Sequence, residues 1–377
     1  MKKTLPLLLL LLCCLTAVRA EGAELPVEAP SVLLMEKSTG QVLYAVGEHE
    51  QREPASVTKV MTLLLTMEAI EKGSLHYDDM VTVSAYAASM GGSQVYLEEN
   101  EQISVEDLLK SVCVSSGNDA AVALAEKIAG VTELFVEQMN NRARELGMKD
   151  THFVNPTGLP AEGHVTSAYD IALMSRELIR HHPDIRRFTT IWMDTIRNGS
   201  FGLSNTNKLI RFYDGATGLK TGSTDAAGYC ISATAERDGM ELIAVIMKGE
   251  TSQSRNEDAK TLLNYGFSTY ALADIVPTEP LGPLPVRLGT ADTVPLSLQN
   301  DAAVLVEKAK AGALRQEVTL PPSVEAPVEQ GAEVGTLTVY DGESKLAEVP
   351  ITAAETVEKL SWGRMYERLL RMAFLAS

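Results

Sequence analysis

The sequence predicts a mixed α/β (α+β) domain over residues 25–275, a small all-β domain over 276–353 and an amphipathic helix over 357–377. Three observations carry this. Apolar runs of strand length stand at both ends of the first region, around 31–46 and 229–247. Between them, apolar residues recur at three- and four-residue spacing, the period of a helix face. After about Ile275 the chain is punctuated by Pro277, Pro280, Pro283 and Pro285, then alternates short apolar and polar stretches in the manner of strands.

Ser31-Val-Leu-Leu-Met and Gly40-Gln-Val-Leu-Tyr-Ala-Val flank the turn material Ser38-Thr-Gly, which suits a hairpin. A helix then starts near Pro54: Val60, Leu63, Leu64, Met67 and Ile70 share a face, and Gly73 ends it. Further helices are expected over about 105–112, 119–128 and 132–146. Ser167 with Asp170 resembles a capping box opening another through Leu178. From 229 to 235 and 242 to 247 the pattern changes to strands joined at Asp238-Gly239. In the smaller domain, Val334-Gly-Thr-Leu-Thr-Val-Tyr and the turn Asp341-Gly342 predict a hairpin.

The 377 residues are 45% hydrophobic and 22% charged, which suits a folded chain and not a disordered one. Against 33 Lys and Arg stand 50 Asp and Glu, a net charge of −17. Such a field repels a polyanion, so nucleic acid is an improbable partner. The six His and four Cys show neither H-E-x-x-H nor C-x-x-C spacing, so no metal site or other cofactor is indicated.

Met1-Lys2-Lys3, the apolar run from Leu5 to Leu15 and the small residues Val18 and Ala20 form a secretory signal peptide over 1–20. The run is short for a membrane span. Leu11 and Leu12 stand where a lipidation site at Cys13 or Cys14 needs small residues. Cleavage leaves a still more acidic chain, with Cys113 and Cys230 reading as buried free thiols; whether they pair is left open. In the last segment Trp362, Met365, Tyr366, Leu369, Met372 and Ala373 share a helical face. Four basic residues there outnumber two acidic ones, opposite in sign to the rest. A basic amphipathic helix of this kind suits attachment to a membrane surface, although docking on its own protein is the plainer alternative.

Pro54-Ala-Ser-Val-Thr-Lys59 places Ser56 and Lys59 one helical turn apart, so the amine is in reach of the hydroxyl. A serine hydroxyl needs a neighbouring base at neutral pH. A lysine serves as one only when burial or nearby positive charge lowers its pKa. Ser115-Ser116-Gly117-Asn118 follows; alone it is a polar turn or helix cap. Lys220-Thr221-Gly222, then Ser223-Thr224, reads as the approach to a strand, with a glycine that admits a ligand close to the backbone. Each triplet is weak alone. All three in this order on a secreted chain form a specific signal.

Ser-x-x-Lys, Ser-x-Asn and Lys-Thr-Gly together resemble the signature of the low-molecular-mass penicillin-binding proteins, specifically the D-alanyl-D-alanine carboxypeptidase family. Asn155-Pro-Thr-Gly-Leu159, Asn205-Thr-Asn-Lys-Leu209 and Gly218-Leu-Lys-Thr-Gly-Ser-Thr224 are similar to further stretches of that family. So is the layout of signal peptide, catalytic domain, β domain and anchor. The resemblance implies an antiparallel sheet flanked by helices, with a helical cluster between Lys59 and Lys220. It implies that Ser56 attacks the penultimate D-alanine of a peptidoglycan stem peptide and Lys59 takes its proton. Ser116 relays a proton to the leaving D-alanine, and Asn118 holds a substrate amide. The resemblance further implies that Lys220 keeps Lys59 neutral and attracts the terminal carboxylate, that Thr221 and Ser223 hydrogen-bond near it with Gly222 also at the substrate site and Arg255 nearby, and that the oxyanion faces the N–H groups of Ser56 and Ser223. β-Lactam antibiotics are implied as covalent inhibitors, and the outer face of the cytoplasmic membrane as the location. Some relatives have histidine where Ser223 stands.

Three alternatives share parts of this pattern. A class A β-lactamase is expected to carry Glu-x-x-Leu-Asn, but Leu263-Asn264 is preceded by Lys260 at the required place. A non-catalytic wall-binding scaffold would be favoured by loss of Ser56, Lys59 or Lys220, and all three are present. An esterase or amidase for another D-amino-acid substrate fits the triplets equally.

Overall fold

Strand β1 (Ser31–Glu36) and β2 (Val42–Val46) form the expected antiparallel hairpin. The computed structural model describes residues 24–275, 277, 279–298, 303–309 and 314–366; the predicted signal peptide and the last eleven residues of the predicted anchor lie outside them. A 3₁₀ turn, Ala55–Thr58, leads into α1 (Lys59–Glu71). Ser56 is thus in the 3₁₀ turn and Lys59 opens the α-helix, whereas the sequence suggested one helical turn for both.

The helical part continues with β3 (Met80–Thr82), α2 (Ala85–Ala88), β4 (Gln102–Ser104), α3 (Val105–Ser115), α4 (Asn118–Ala129), α5 (Thr132–Glu145), α6 (Ala168–His181) and α7 (Arg186–Thr189). A hairpin of β5 (Met193–Ile196) and β6 (Phe201–Ser204) and the short α8 (Leu209–Phe212) return the chain to the sheet. There it runs through β7 (Ala216–Thr224), β8 (Gly228–Arg237) and β9 (Met240–Gly249), and α9 (Ser252–Thr269) covers the far face. The five strands lie in the order β2-β1-β9-β8-β7, all antiparallel, so β7 is an edge.

Strand alternation explains the layering. Leu33 and Met35 of β1 and Ile243, Val245 and Met247 of β9 pack into the core shared with α1, α3, α4 and α6. Their neighbours Val32, Leu34, Leu242, Ala244 and Ile246 face Leu262, Leu263 and Phe267 of α9. With both faces covered, these strands read as unbroken apolar runs. Helix α1 is buried nearly all round, as its mixed apolar and threonine sequence allows.

The smaller domain contains β10 (Tyr270–Asp274), β11 (Leu284–Arg287), β12 (Thr293–Val294), β13 (Leu296–Leu298), β14 (Ala303–Glu307), β15 (Arg315–Thr319), β16 (Val324–Glu325), β17 (Glu333–Asp341) and β18 (Ser344–Ala353). The predicted hairpin is β17–β18. Strand β10 pairs with β14, so hydrogen bonds cross the boundary expected at 275. Val357 and Lys359 form bridges with Val328 and Gly289, and helix begins only at 362; the predicted helix over 357–377 therefore starts five residues too early.

Candidate active site

The turn carrying Ser56 is held in an uncommon shape. Ala55 has φ 47°, a left-handed value that costs a non-glycine residue of order 1 kcal/mol or more. That geometry leaves Ser56 half-exposed while Ala55, Val57, Thr58 and Lys59 are buried. Lys59 Nζ lies 2.9 Å from Ser56 Oγ, and donates to Asn118 Oδ1 at 2.5 Å and to the Thr157 carbonyl at 2.7 Å. Burial drives the Lys59 pKa well below the ordinary lysine value, and the charge of Lys220 adds to that; Asp119 acts against both.

Helix α3 ends at Ser116 in a left-handed conformation, φ 62°, and α4 begins at Asn118. The Ser-x-Asn triplet is therefore the corner between two helices. Ser116 Oγ is buried without a hydrogen-bond partner among the described residues. A buried hydroxyl left unpaired costs about 1–3 kcal/mol, the kind of cost retained at sites that handle protons or ligands. Both ends of the Asn118 amide are engaged, Oδ1 by Lys59 and Nδ2 by the Gly91 carbonyl at 2.7 Å. The neighbouring Asp119 carboxylate accepts from the N–H groups of Val95 and Leu97, pinning the segment opposite the corner.

Lys220-Thr-Gly lies inside edge strand β7, not in a loop before a strand as the sequence suggested. Lys220 is buried, donates to the Thr221 carbonyl at 2.7 Å, and has its pKa lowered to about 7 by burial and then by Arg255. Thr221 Oγ1 meets Thr206 Oγ1 at 2.7 Å, and the Thr206 N–H donates to Val114 O at the end of α3. Asn207 donates to the Gly218 carbonyl, so the stretch 205–209 clamps β7 to the helical part. A β-carbon on Gly222 would lie 2.7 Å from Ser56 N and 2.9 Å from Val57 N. The glycine thus admits the turn carrying Ser56 itself, where a ligand was expected. Ser223 is exposed beside it.

Arg255 is in α9, where its guanidinium donates to Asn256 Oδ1 and to the carbonyl of Cys230, the β8 partner of Gly222. It sits one strand behind the hydroxyls of β7; burial lowers its pKa to about 10. Cys113 and Cys230 are buried free thiols. Lys260 and Asn264 also lie in α9, behind the sheet, which removes them from any role in activating water at Ser56.

Sequence reasoning singled out Asn155-Pro-Thr-Gly-Leu159 without giving it a role. Asn155 Oδ1 accepts from Thr157 N and Gly158 N, an Asx turn that aims the Thr157 carbonyl at Lys59. The Asn-x-x-Gly spacing is the signal that such a turn leaves in sequence.

A serine beside a buried lysine, with a second buried lysine on the adjoining strand, is the apparatus of a serine-type peptidase hydrolase. Residues 17–251 match the family profile described as D-alanyl-D-alanine carboxypeptidase, and residues 276–359 that of the penicillin-binding protein 5 C-terminal domain. The D-alanyl-D-alanine carboxypeptidase DacF of Bacillus subtilis (strain 168) is 40% identical over 353 residues, covering 92% of this chain and 90% of the relative. The crystal structure of penicillin binding protein 5 from Haemophilus influenzae superimposes with a TM-score of 0.78 at 30% identity, covering 90% of this chain and 100% of that one. Penicillin-binding protein D2 of Listeria monocytogenes, in its ampicillin-bound form, gives 0.60 at 32% identity, covering 65% of this chain and 100% of that one. The chain belongs to the D-alanyl-D-alanine carboxypeptidase family, with the C-terminal domain of penicillin-binding protein 5 following the catalytic region.

Proposed function

We propose that this D-alanyl-D-alanine carboxypeptidase removes the terminal D-alanine of peptidoglycan stem pentapeptides through an acyl-enzyme on Ser56. The observation that carries this is the 2.9 Å contact between Ser56 Oγ and a Lys59 amine whose pKa is pulled far down. Neutral Lys59 takes the Ser56 proton as Oγ bonds to the penultimate D-alanine carbonyl. The oxyanion faces the N–H groups of Ser56 and Ser223. The C–N bond then breaks, and the proton passes by way of Ser116 to the departing amine. Lys220, with Thr221 and Ser223, receives the terminal carboxylate. Water, deprotonated by Lys59, hydrolyses the ester and restores Ser56.

Penicillins enter the same path, with ring opening in place of departure of D-alanine. The ampicillin-bound form of the Listeria relative supports this reading. The signal-peptide pattern at 1–20 supports export, and the basic amphipathic pattern after 360 supports attachment to the outer face of the cytoplasmic membrane. Trp362, 87% exposed, and Tyr366, 66% exposed, lie at the start of that segment without burial on the protein. Among the described residues no helix is long and apolar enough to cross a membrane.

The test is intact mass of the mature protein through a time course with benzylpenicillin, with Ser56→Ala beside it and D-alanine release measured in parallel. An adduct and D-alanine release that both vanish in Ser56→Ala are expected. Labelling retained in Ser56→Ala overturns the nucleophile. Rapid drug loss with no standing adduct indicates a β-lactamase, and neither adduct nor turnover a non-catalytic scaffold.

A further inference from the structure

We propose that His164 is a positioning residue for Lys59, acting through Thr58; this rests on the serine–lysine reading above. His164 is 3% exposed and lies outside all three sequence triplets. Its Nδ1 accepts from the Val154 N–H at 2.9 Å. A ring nitrogen that accepts carries no proton, so the proton is on Nε2, which donates to Thr58 Oγ1 at 2.8 Å. Thr58 is the residue before Lys59. Val154 precedes the turn whose Thr157 carbonyl accepts from Lys59 Nζ.

The imidazole therefore spans the two backbone segments between which the lysine amine is held. Other contacts join the same segments. Thr62 of α1 donates to the Pro156 carbonyl at 2.7 Å, and a β-carbon on Gly158 would fall 1.8 Å from Ala55 O. Among the described residues, the hydrogen bond that reaches a side chain between Ser56 and Lys59 is the one from this imidazole to Thr58. Burial, with the adjacent His152, lowers the His164 pKa to about 4, so the accepting tautomer persists through the neutral range.

Losing this tie lets the loop part from α1 and admits water to Lys59. Its pKa then rises, because burial is the largest cause holding it down. The charged groups facing Lys59 that set the remainder are Lys220 and Asp119.

The test compares rates of acylation by benzylpenicillin, as a function of pH, for full-length mature wild type, His164→Leu, His164→Gln and Thr58→Val. Glutamine offers an acceptor and a donor on one side chain and rescues; leucine does not. His164→Leu is expected to lose about 10²-fold in acylation rate, the scale of a misplaced catalytic group. Its acid limb is expected to move to higher pH, and Thr58→Val should show the same displacement. A wild-type rate in His164→Leu or Thr58→Val overturns the proposal. So does a loss with an unmoved limb and no rescue by glutamine, which marks a structural role alone. If His164→Leu does not fold, Thr58→Val decides, because it removes the contact from the other side. A wild type that is not acylated at all defeats the serine–lysine reading instead.

Discussion

Gly222 and Ser56 meet backbone to backbone: a β-carbon at 222 would stand 2.7 Å from the Ser56 nitrogen. Strand β7 and the turn carrying Ser56 are thereby held in close contact, with backbone atoms nearest the glycine. Gly222→Ala is expected to cost about 1–3 kcal/mol of stability, as overpacking in a tight site does. It is also expected to cost about 10²-fold in kcat/KM, because the turn must retreat from its place. Denaturant unfolding and D-alanine release check the two parts. An unchanged midpoint with full activity would show that the turn has slack the geometry does not suggest.

Lys220 bears on the reaction twice. Its charge is one of the causes lowering Lys59, and in the proposed mechanism it receives the substrate carboxylate. Lys220→Ala is therefore expected to lose 10²-fold or more in kcat/KM, on the scale of a lost electrostatic donor, about 3 kcal/mol. The sign of the accompanying pH effect follows from the repulsion. Removing a neighbouring cation raises the Lys59 pKa, and the proposed mechanism acylates through the neutral amine, so the acid limb is expected to move to higher pH. In the wild type, Lys220 itself loses its proton near 7, which predicts a decline of kcat/KM on the alkaline side. A variant that is slower but has unchanged limbs would separate Lys220 from Lys59.

Much of this site is legible in the sequence because its parts are local. Ser56 and Lys59 are three residues apart, Ser116 and Asn118 two, and Lys220 to Ser223 consecutive. What brings the three groups together is long-range. The clamp by Thr206, the Thr157 carbonyl and the approach of Gly222 to Ser56 each join residues distant in the chain, and no spacing announces them. The placement of Lys220-Thr-Gly within β7 escapes a pattern reading because the segment has polar residues at buried positions, satisfied by the site itself. Helix α9 escapes for a different reason: its apolar positions Ala259, Leu262, Leu263 and Phe267 are few among polar neighbours. Yet its start carries a full capping box of Thr251 and Ser254.

His164 predicts a pH dependence of stability that activity does not enter. Its folded pKa of about 4 lies below the ordinary histidine value, so the unfolded chain binds the proton more tightly. The sign is that of a depressed group: the stabilisation is present above about 6.5 and is lost as pH falls toward 4. A shift of this size corresponds to roughly 3 kcal/mol. Carboxylates titrate in the same window, so the measurement is the difference between wild type and His164→Gln in urea unfolding at pH 7 and pH 4.5. The wild type is expected to lose more stability on acidification than the glutamine variant. Equal losses would mean that His164 accepts a proton in the fold without penalty.

The C-terminal segment predicts a difference between two truncations only four residues apart. Val357 is buried and exchanges backbone hydrogen bonds with Val328, and the Leu360 N–H donates to the Leu288 carbonyl. Residues up to 360 therefore belong to the β domain, and Trp362 is the first large apolar side chain standing free of it. A chain ending at Leu360 is expected to leave the membrane fraction, keep its hydrolytic rate and unfold at the wild-type midpoint. A chain ending before Val357 should also leave the membrane, but with a smaller β-domain core. Removing the buried Val357 side chain costs about 1.5–3 kcal/mol by apolar burial alone, before its strand pairing is counted. Sedimentation with membrane vesicles, assayed beside thermal unfolding, distinguishes the two losses. Continued sedimentation of the chain ending at Leu360 would refute attachment through this helix.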